Sequence, residues 1–156
     1  MGDLSSVGSA SRRVAEPPGI CNRLARLRRP KLGAEMTHEL IARHDAAWND
    51  QDLDALNDLY TEDVVFQNHT AGEEAVVGRE AVRAHIGGIF ERWPDMRFTS
   101  RRLYLADDFC VSEWTAQATA PDGHRIEWDG VDVMPLRDGA IARKDVYSTS
   151  HIPRPG

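Results

Sequence analysis

Cysteine is scarce in this chain of 156 residues, with Cys21 and Cys110 its sole examples. Two cysteines cannot build a disulfide framework, and neither stands in a metal-type spacing, which points to a reducing compartment such as the cytoplasm. Long apolar runs are missing too. No segment approaches the roughly 20 apolar residues that cross a bilayer, so no membrane partner is expected. The body of the chain is short of positive charge. Residues 36–156 hold 12 Lys/Arg against 22 Asp/Glu, a balance of −10, while residues 1–35 carry +4. Nucleic acid is therefore not an expected partner, because phosphate binding needs a positive surface. The six histidines, at 38, 44, 69, 85, 124 and 151, form no i, i+4 pair on a helix, so no metal site is expected. Gly87-Gly88 has no Lys-Ser/Thr after it and is no phosphate loop; it reads as a close-packing site inside a helix.

What is present divides the chain. Residues 1–35 combine Ser, Gly and Arg with Pro17, Pro18 and Pro30, show no sustained periodicity, and read as a disordered extension. They hold no apolar stretch of the kind a secretory signal uses. Met36, followed at once by a helix start, is a candidate initiator. One domain is expected over 36–152, with a short tail at 153–156. Within it, Thr37 is placed to cap a helix whose stripe is Leu40, Ile41, His44, Ala47 and Trp48. Asp52 opens a second, short helix with Leu53, Leu56, Leu59 and Tyr60 inward. Val64-Val65-Phe66 begins a strand, and Gly78 opens a third helix with the stripe Val82, Ile86, Ile89, Phe90 and Trp93, ended by Pro94. Beyond Pro94 the apolar period drops from 3.6 to 2, giving strands near 96–106, 109–119, 125–136 and 140–151. Turn chemistry separates them at Asp107-Asp108, Pro121-Asp122-Gly123 and Asp138-Gly139, with gaps short enough for antiparallel hairpins. Helices first and strands after give an α+β architecture, with the helices packed on one face of a curved sheet.

The order α-α-β-α-β-β-β-β carries specific residues. Trp48-Asn49-Asp50-Gln51-Asp52-Leu53-Asp54-Ala55-Leu56 leads into Leu59-Tyr60-Thr61-Glu62-Asp63-Val64, followed by Gly78-Arg79-Glu80-Ala81-Val82, Gly130-Val131-Asp132-Val133 and Asp138-Gly139-Ala140-Ile141. Over about 37–151 this resembles the nuclear transport factor 2-like superfamily, nearest its SnoaL-like polyketide cyclase and ketosteroid isomerase branches. The resemblance implies a cone of mixed, mostly antiparallel sheet closed by about three helices around a pocket. It also implies a homodimer through the outer sheet face. The superfold hosts isomerases, cyclases, hydrolases, dehydratases and non-catalytic domains, so the activity has to be argued from the site.

Asp132 is the leading site candidate. Ile126, Trp128, Gly130, Asp132 and Met134 alternate onto one face of a strand. An Asp among such neighbours is desolvated, and a neutral acid of that kind can donate a hydrogen bond to an oxyanion, as a protonated Asp does in ketosteroid isomerase. The alternative is a bulge at Gly130 that turns Asp132 to solvent. His44, inward beside Ile41 and Trp48, sits where the isomerases carry a catalytic Tyr; it is either an acid/base or a hydrogen-bonded core histidine. Asn68 alternates with Val64 and Phe66 and occupies the place of the isomerases' proton-abstracting Asp. An amide is no general base, so Asn68 is an orienting group, and His69 faces the other way. Trp48, Phe66, Trp128, Met134 and Tyr147 are expected to line the substrate, Tyr147 from the pocket mouth. Asp145 and Tyr147 share a face of the last strand with Ile141 and Arg143, and a solvated outer face is the alternative for both. Glu113 shares a face with Phe109 and Val111, opposite Cys110, Ser112, Trp114 and Ala116, and the pattern leaves open which face is inner. The related epoxide hydrolases need an Arg and an Asp where Trp114 and Ala116 stand, which disfavours that activity. Cys110 reads as a small buried hydrophobe.

These residues lead to a SnoaL-like domain that binds a small apolar carbonyl compound and needs no cofactor. The expected chemistry is isomerisation or aldol-type cyclisation. The alternatives are a non-catalytic ligand-binding or dimerisation domain, and a dehydratase or hydrolase working through His44 and Asp132.

Overall fold

The computed structural model describes residues 30–70 and 72–149, together with the backbone of 152–153. Residues 1–29, most of the expected extension, lie outside the described residues, as does the end of the tail. Helix α1 (Pro30–Asp50) begins ahead of the expected cap at Thr37. Proline suits a first helical position, where its missing N–H is one that would go unpaired in any case. Thr37 is instead buried, and its hydroxyl donates to the Ala106 carbonyl at 3.0 Å. The stripe of α1 buries Leu40, Ile41, His44, Ala47 and Trp48, as its 3.6-residue period requires. Helix α2 (Leu53–Asp58) is capped by Asp52, whose carboxylate accepts from the amides of Asp54 and Ala55. Helix α3 (Arg79–Arg92) starts after Gly78, at φ 95°, and buries Val82, Ile86 and Phe90.

The strands are β1 (Tyr60–Asn68), the two-residue β2 (Val76–Val77), β3 (Arg97–Leu105), β4 (Phe109–Thr119), β5 (Arg125–Arg137), β6 (Ala140–Ser148) and the two-residue β7 (Ile152–Pro153). Their order across the sheet is β2-β1-β6-β5-β4-β3, with β7 beside β5. All pairs are antiparallel except β1 with β6, whose parallel pairing lets the chain cross over through α3 and return. The β5–β6 hairpin turns on Asp138 and Gly139, both at positive φ, as a two-residue turn between right-twisted strands demands. The architecture is thus the expected α+β cone: among the described residues, three helices lie against one face of a curved, mostly antiparallel sheet.

Alternation fixes that inner face. On β4 it holds Cys110, Ser112, Trp114, Ala116 and Ala118; on β5 it holds Ile126, Trp128, Gly130, Asp132 and Met134. The face of β4 left open by the sequence is thereby settled, and Glu113 lies outside, accepting from the Tyr104 hydroxyl at 3.1 Å. The register of β4 with β5 runs unbroken from Phe109↔Pro135 to Thr119↔Arg125, so Gly130 makes no bulge and Asp132 points inward. A bulge lies elsewhere. Between the pairs Val133↔Asp145 and Leu136↔Ile141, β6 carries one residue more than β5. Such an insertion bends a strand and shifts its phase, so Ile141 and Lys144 both face the core.

Candidate functional site

The inner face and the helices form a half-open cavity of about 940 Å³. Its walls are aromatic, and the rings brace one another instead of filling the space. Trp48 meets Phe90 and Phe98 edge-to-face at 5.3 and 5.6 Å, and Phe98 meets Trp114 at 5.1 Å. Gly88 of α3 also lines the cavity, and a methyl group added there would meet nothing within 4 Å. The expected close-packing role therefore does not hold for Gly88. Gly87 differs, since a Cβ there would touch Leu53 at 3.6 Å. Replacing a mid-helix glycine by alanine where space is free removes unfolded-chain entropy. Gly88→Ala is expected to stabilise the protein by about 0.5–1 kcal/mol, seen as a melting point raised by roughly 1–4 °C. A lowered melting point would contradict the open space at this position.

The structure brings Asp132, His44, Asn68, Trp48, Phe66 and Trp128 to this one cavity. Met134 is not among its walls, being 0% exposed within the apolar core. Tyr147 is also elsewhere. The phase shift in β6 turns it to the outer face, where it is 48% exposed and stacks on His69 at 4.5 Å. Asp145 lies on the same outer side, in a two-point contact with Arg143 at 2.6 and 2.7 Å and 2.7 Å from His69. The Arg143 contact and the His69 contact hold its carboxyl below the usual carboxylate range. His69 thus faces away from Asn68, as alternation required. Asn68 ends β1, and its side-chain oxygen accepts from the Thr70 amide at 3.2 Å.

Asp132 is 5% exposed, yet it is not the isolated acid expected from its apolar neighbours. Lys144, 4% exposed, donates from Nζ to Asp132 Oδ2 and lies 5.4 Å from the centre of the Trp48 ring. Lys144 is not among the residues expected from the sequence. Strict alternation from Ile141 sends it outward, and only the β6 bulge brings it in; its place on the face of Val146 and Ser148 was the available signal. With a cation donating to Oδ2, the contact uses Asp132 as an acceptor, so the expected role as a neutral hydrogen-bond donor loses its structural premise. The other oxygen, Oδ1, is buried without a hydrogen-bond partner. Native proteins leave few such atoms, and they mark places that a ligand or water completes.

His44 is 2% exposed and its ring is engaged by the protein itself. Trp48 Nε1–H donates to His44 Nε2 at 2.9 Å, and the Tyr60 hydroxyl stands 3.3 Å from the same nitrogen. That assigns the proton to Nδ1, which lies 3.5 Å from Asp45 Oδ1, a long contact. Burial lowers the His44 pKa, with the nearby Lys144 cation acting in the same direction. Asp45 in turn accepts from Ser100 at 2.8 Å. Burial opposes its ionisation, but the hydrogen bonds from His44 and Ser100 outweigh that and bring its pKa below the ordinary value. His44 is therefore a hydrogen-bonded core histidine, joined to side chains and not to a main-chain carbonyl. Cys110 is buried beneath this cluster, and desolvation pushes its thiol up to about 12, so it is no nucleophile. Among the described residues no group of three His, Cys, Asp or Glu is placed to hold a metal ion, and no helix is long and apolar enough to cross a membrane.

Comparison with known proteins agrees with this architecture. A model of the SnoaL-like domain matches residues 41–144. No curated protein matches the sequence. Among solved structures, the chain is similar to a protein from Jannaschia sp. CCS1 assigned as a SnoaL-like polyketide cyclase, at 19% identity and a TM-score of 0.67, covering 74% of this chain and 86% of that one. It is similar to an NTF-2 like protein of unknown function from Burkholderia xenovorans LB400, at 21% identity and a TM-score of 0.62, covering 78% and 89%. It is also similar to TerC, co-crystallised with polyporic acid, at 18% identity and a TM-score of 0.66, covering 74% and 92%. At these identities the likeness to solved structures is one of fold.

Proposed function

Because the chain belongs to the SnoaL-like domain family, we propose that its cavity binds a small, largely apolar carbonyl compound and moves a proton next to that carbonyl, as a cofactor-independent isomerase or cyclase. The observation that carries this reading is Asp132, which lines a cavity of about 940 Å³ and whose buried Oδ1 has no hydrogen-bond partner. That volume suits a small organic ligand. Isomerisation and aldol-type cyclisation begin with the same step, removal of a proton α to a carbonyl. Asp132 Oδ1 is the acceptor for that proton, and Lys144 supplies positive charge beside the enolate that forms. Asn68 orients the ligand. His44, with its ring nitrogens occupied by Trp48, Tyr60 and Asp45, positions the Trp48 wall and does not exchange the proton itself. A His44–Asp132 dehydratase or hydrolase pair is less favoured for the same reason. A neighbour of this fold, TerC, was co-crystallised with polyporic acid, and an organic ligand is the class proposed for this chain. The proposed homodimer uses the outer sheet face, where Tyr104 and Tyr147 are exposed, and the proposed location, from cysteine usage, is the cytoplasm.

The test is exchange of α-protons. Incubated in deuterium oxide with a panel of aryl, polycyclic and steroid ketones, the protein should accelerate exchange at the carbon beside the carbonyl of at least one, read by NMR. Asp132→Asn keeps an oxygen for Lys144 but is not a base, and it should lose the acceleration. A ketone that binds without exchange would support the non-catalytic binding domain. Failure of every ketone to bind would remove the proposal altogether.

A further inference from the structure

Among the described residues, six buried side-chain polar atoms have no hydrogen-bond partner, and three of them, on His85, Trp114 and Asp132, belong to residues that line the cavity. His85 Nε2 has Glu73 at 3.7 Å, so two remain: Trp114 Nε1 and Asp132 Oδ1. One is an obligate donor, since an indole N–H cannot accept. The other is the free oxygen of a carboxylate whose Oδ2 is already held by Lys144. Their placement is fixed by strand register. Trp114 pairs with Gly130, and Asp132 is two residues further along the same face of β5. Diagonal neighbours of this kind lie roughly 7–8 Å apart at the backbone, a span that one small ring system bridges.

The Trp114 ring occupies its place because residue 130 is glycine. A Cβ there would lie 2.3 Å from two atoms of the indole, Cη2 and Cζ2. The ring lies across the glycine and meets Phe98 edge-to-face at 5.1 Å. A ring so packed holds its N–H in a defined direction and loses little entropy when a ligand arrives.

We propose that Trp114 Nε1–H and Asp132 Oδ1 form a two-point recognition site, so that the preferred ligand carries a carbonyl for Trp114 and a hydroxyl for Asp132 on one compact apolar frame. The hydroxy-ketone class deepens the proposed function and rests on it: in an aldol-type cyclisation the α-proton taken by Asp132 Oδ1 returns to the new alkoxide, so the hydroxyl beside Oδ1 is the product's and the base is free before the reaction. Trp114 is a specificity-determining residue, and Gly130 positions it. The pairing favours ligands with both groups, because a ligand lacking either leaves a buried polar atom unpaired.

Isothermal titration with tetralones, bicyclic aryl ketones, tests this. The probes are the parent tetralone, its ring-hydroxylated isomers, their O-methyl ethers, and hydroxytetralins that lack the carbonyl. At least one hydroxytetralone should bind the wild-type protein about tenfold more tightly than the parent or its own methyl ether, the size of one well-made buried hydrogen bond. Trp114→Phe should weaken tetralones and hydroxytetralones about five- to tenfold and leave the hydroxytetralins unchanged. Gly130→Ala, which displaces the indole, should give the same selectivity change and serves if Trp114→Phe does not fold. Equal weakening of ketones and carbonyl-free probes would overturn the role of the indole N–H, as would unchanged ketone binding. Tetralones that bind with no preference for any hydroxyl isomer would overturn the Asp132 half while leaving the carbonyl cavity standing. Absence of all binding would overturn the cavity reading and this inference together.

Discussion

Lys144→Met is expected to destabilise the protein by about 3–5 kcal/mol, the largest single effect foreseen. The variant leaves the Asp132 carboxylate buried, with neither oxygen paired, in a wall of Trp48, Phe66 and Trp128. Removing one member of a buried ion pair costs far more than the pair contributes, because the surviving charge keeps its desolvation cost without its partner. The double variant Lys144→Met/Asp132→Leu removes both charges and should regain most of the loss. Urea or thermal unfolding of the two variants beside the wild type decides the matter. If the single variant unfolds at the wild-type midpoint, the pair is not buried as described. Asp132→Ala has the mirror-image cost, because it strands the ammonium of Lys144. That variant is a poor test of catalysis, because lost turnover could not be separated from lost stability; Asp132→Asn is the better choice.

Acid should weaken the fold through His44 before it does so through any carboxylate. Burial, together with Lys144, holds the folded-state pKa of His44 below that of the unfolded chain. The unfolded state therefore binds more protons, and stability falls as pH drops. The contribution is fully present above the unfolded value of about 6.5. It is lost below that at up to about 1.4 kcal/mol per pH unit, levelling off once the folded pKa is passed. The surroundings on every side explain the direction. Trp48 on the same helix points its N–H at Nε2, Tyr60 of β1 stands beside that nitrogen, and Lys144 of β6 is a like charge. Asp45 and Asp132 favour the protonated ring but do not outweigh burial. The depressed carboxyls Asp45, Asp95 and Asp145 contribute stability that is lost at lower pH, starting near and below the ordinary carboxylate value. The interval from pH 6.5 down to about 5 is thus where His44 is visible. Melting curves across it should slope for the wild type and flatten for His44→Gln, whose amide can still accept from Trp48 and never titrates. An undiminished slope in the variant would reject His44 as the source.

The amino-acid sequence by itself determined the order of the long elements, the stripe of α1, the Asp52 cap, the Asp138-Gly139 hairpin and the inward face of β5, since each rests on local periodicity or on turn and capping chemistry; the second helix ends at Asp58, and Tyr60, expected on its stripe, begins β1. It was therefore enough to put Asp132, Trp48, Phe66 and Trp128 on one concave wall. The start of α1 escaped it, because Thr37 looks like a cap and spends its hydroxyl on a carbonyl 69 positions away. Only the tertiary structure decided what surrounds Asp132. Lys144 reaches it through a bulge in β6, and the same phase shift puts Tyr147 outside the cavity. A period of two loses its phase after one inserted residue, since every later side chain changes face. The vacant hydrogen-bonding positions of Trp114 and Asp132 were likewise invisible, because a missing partner is a property of packed neighbours and not of spacing along the chain.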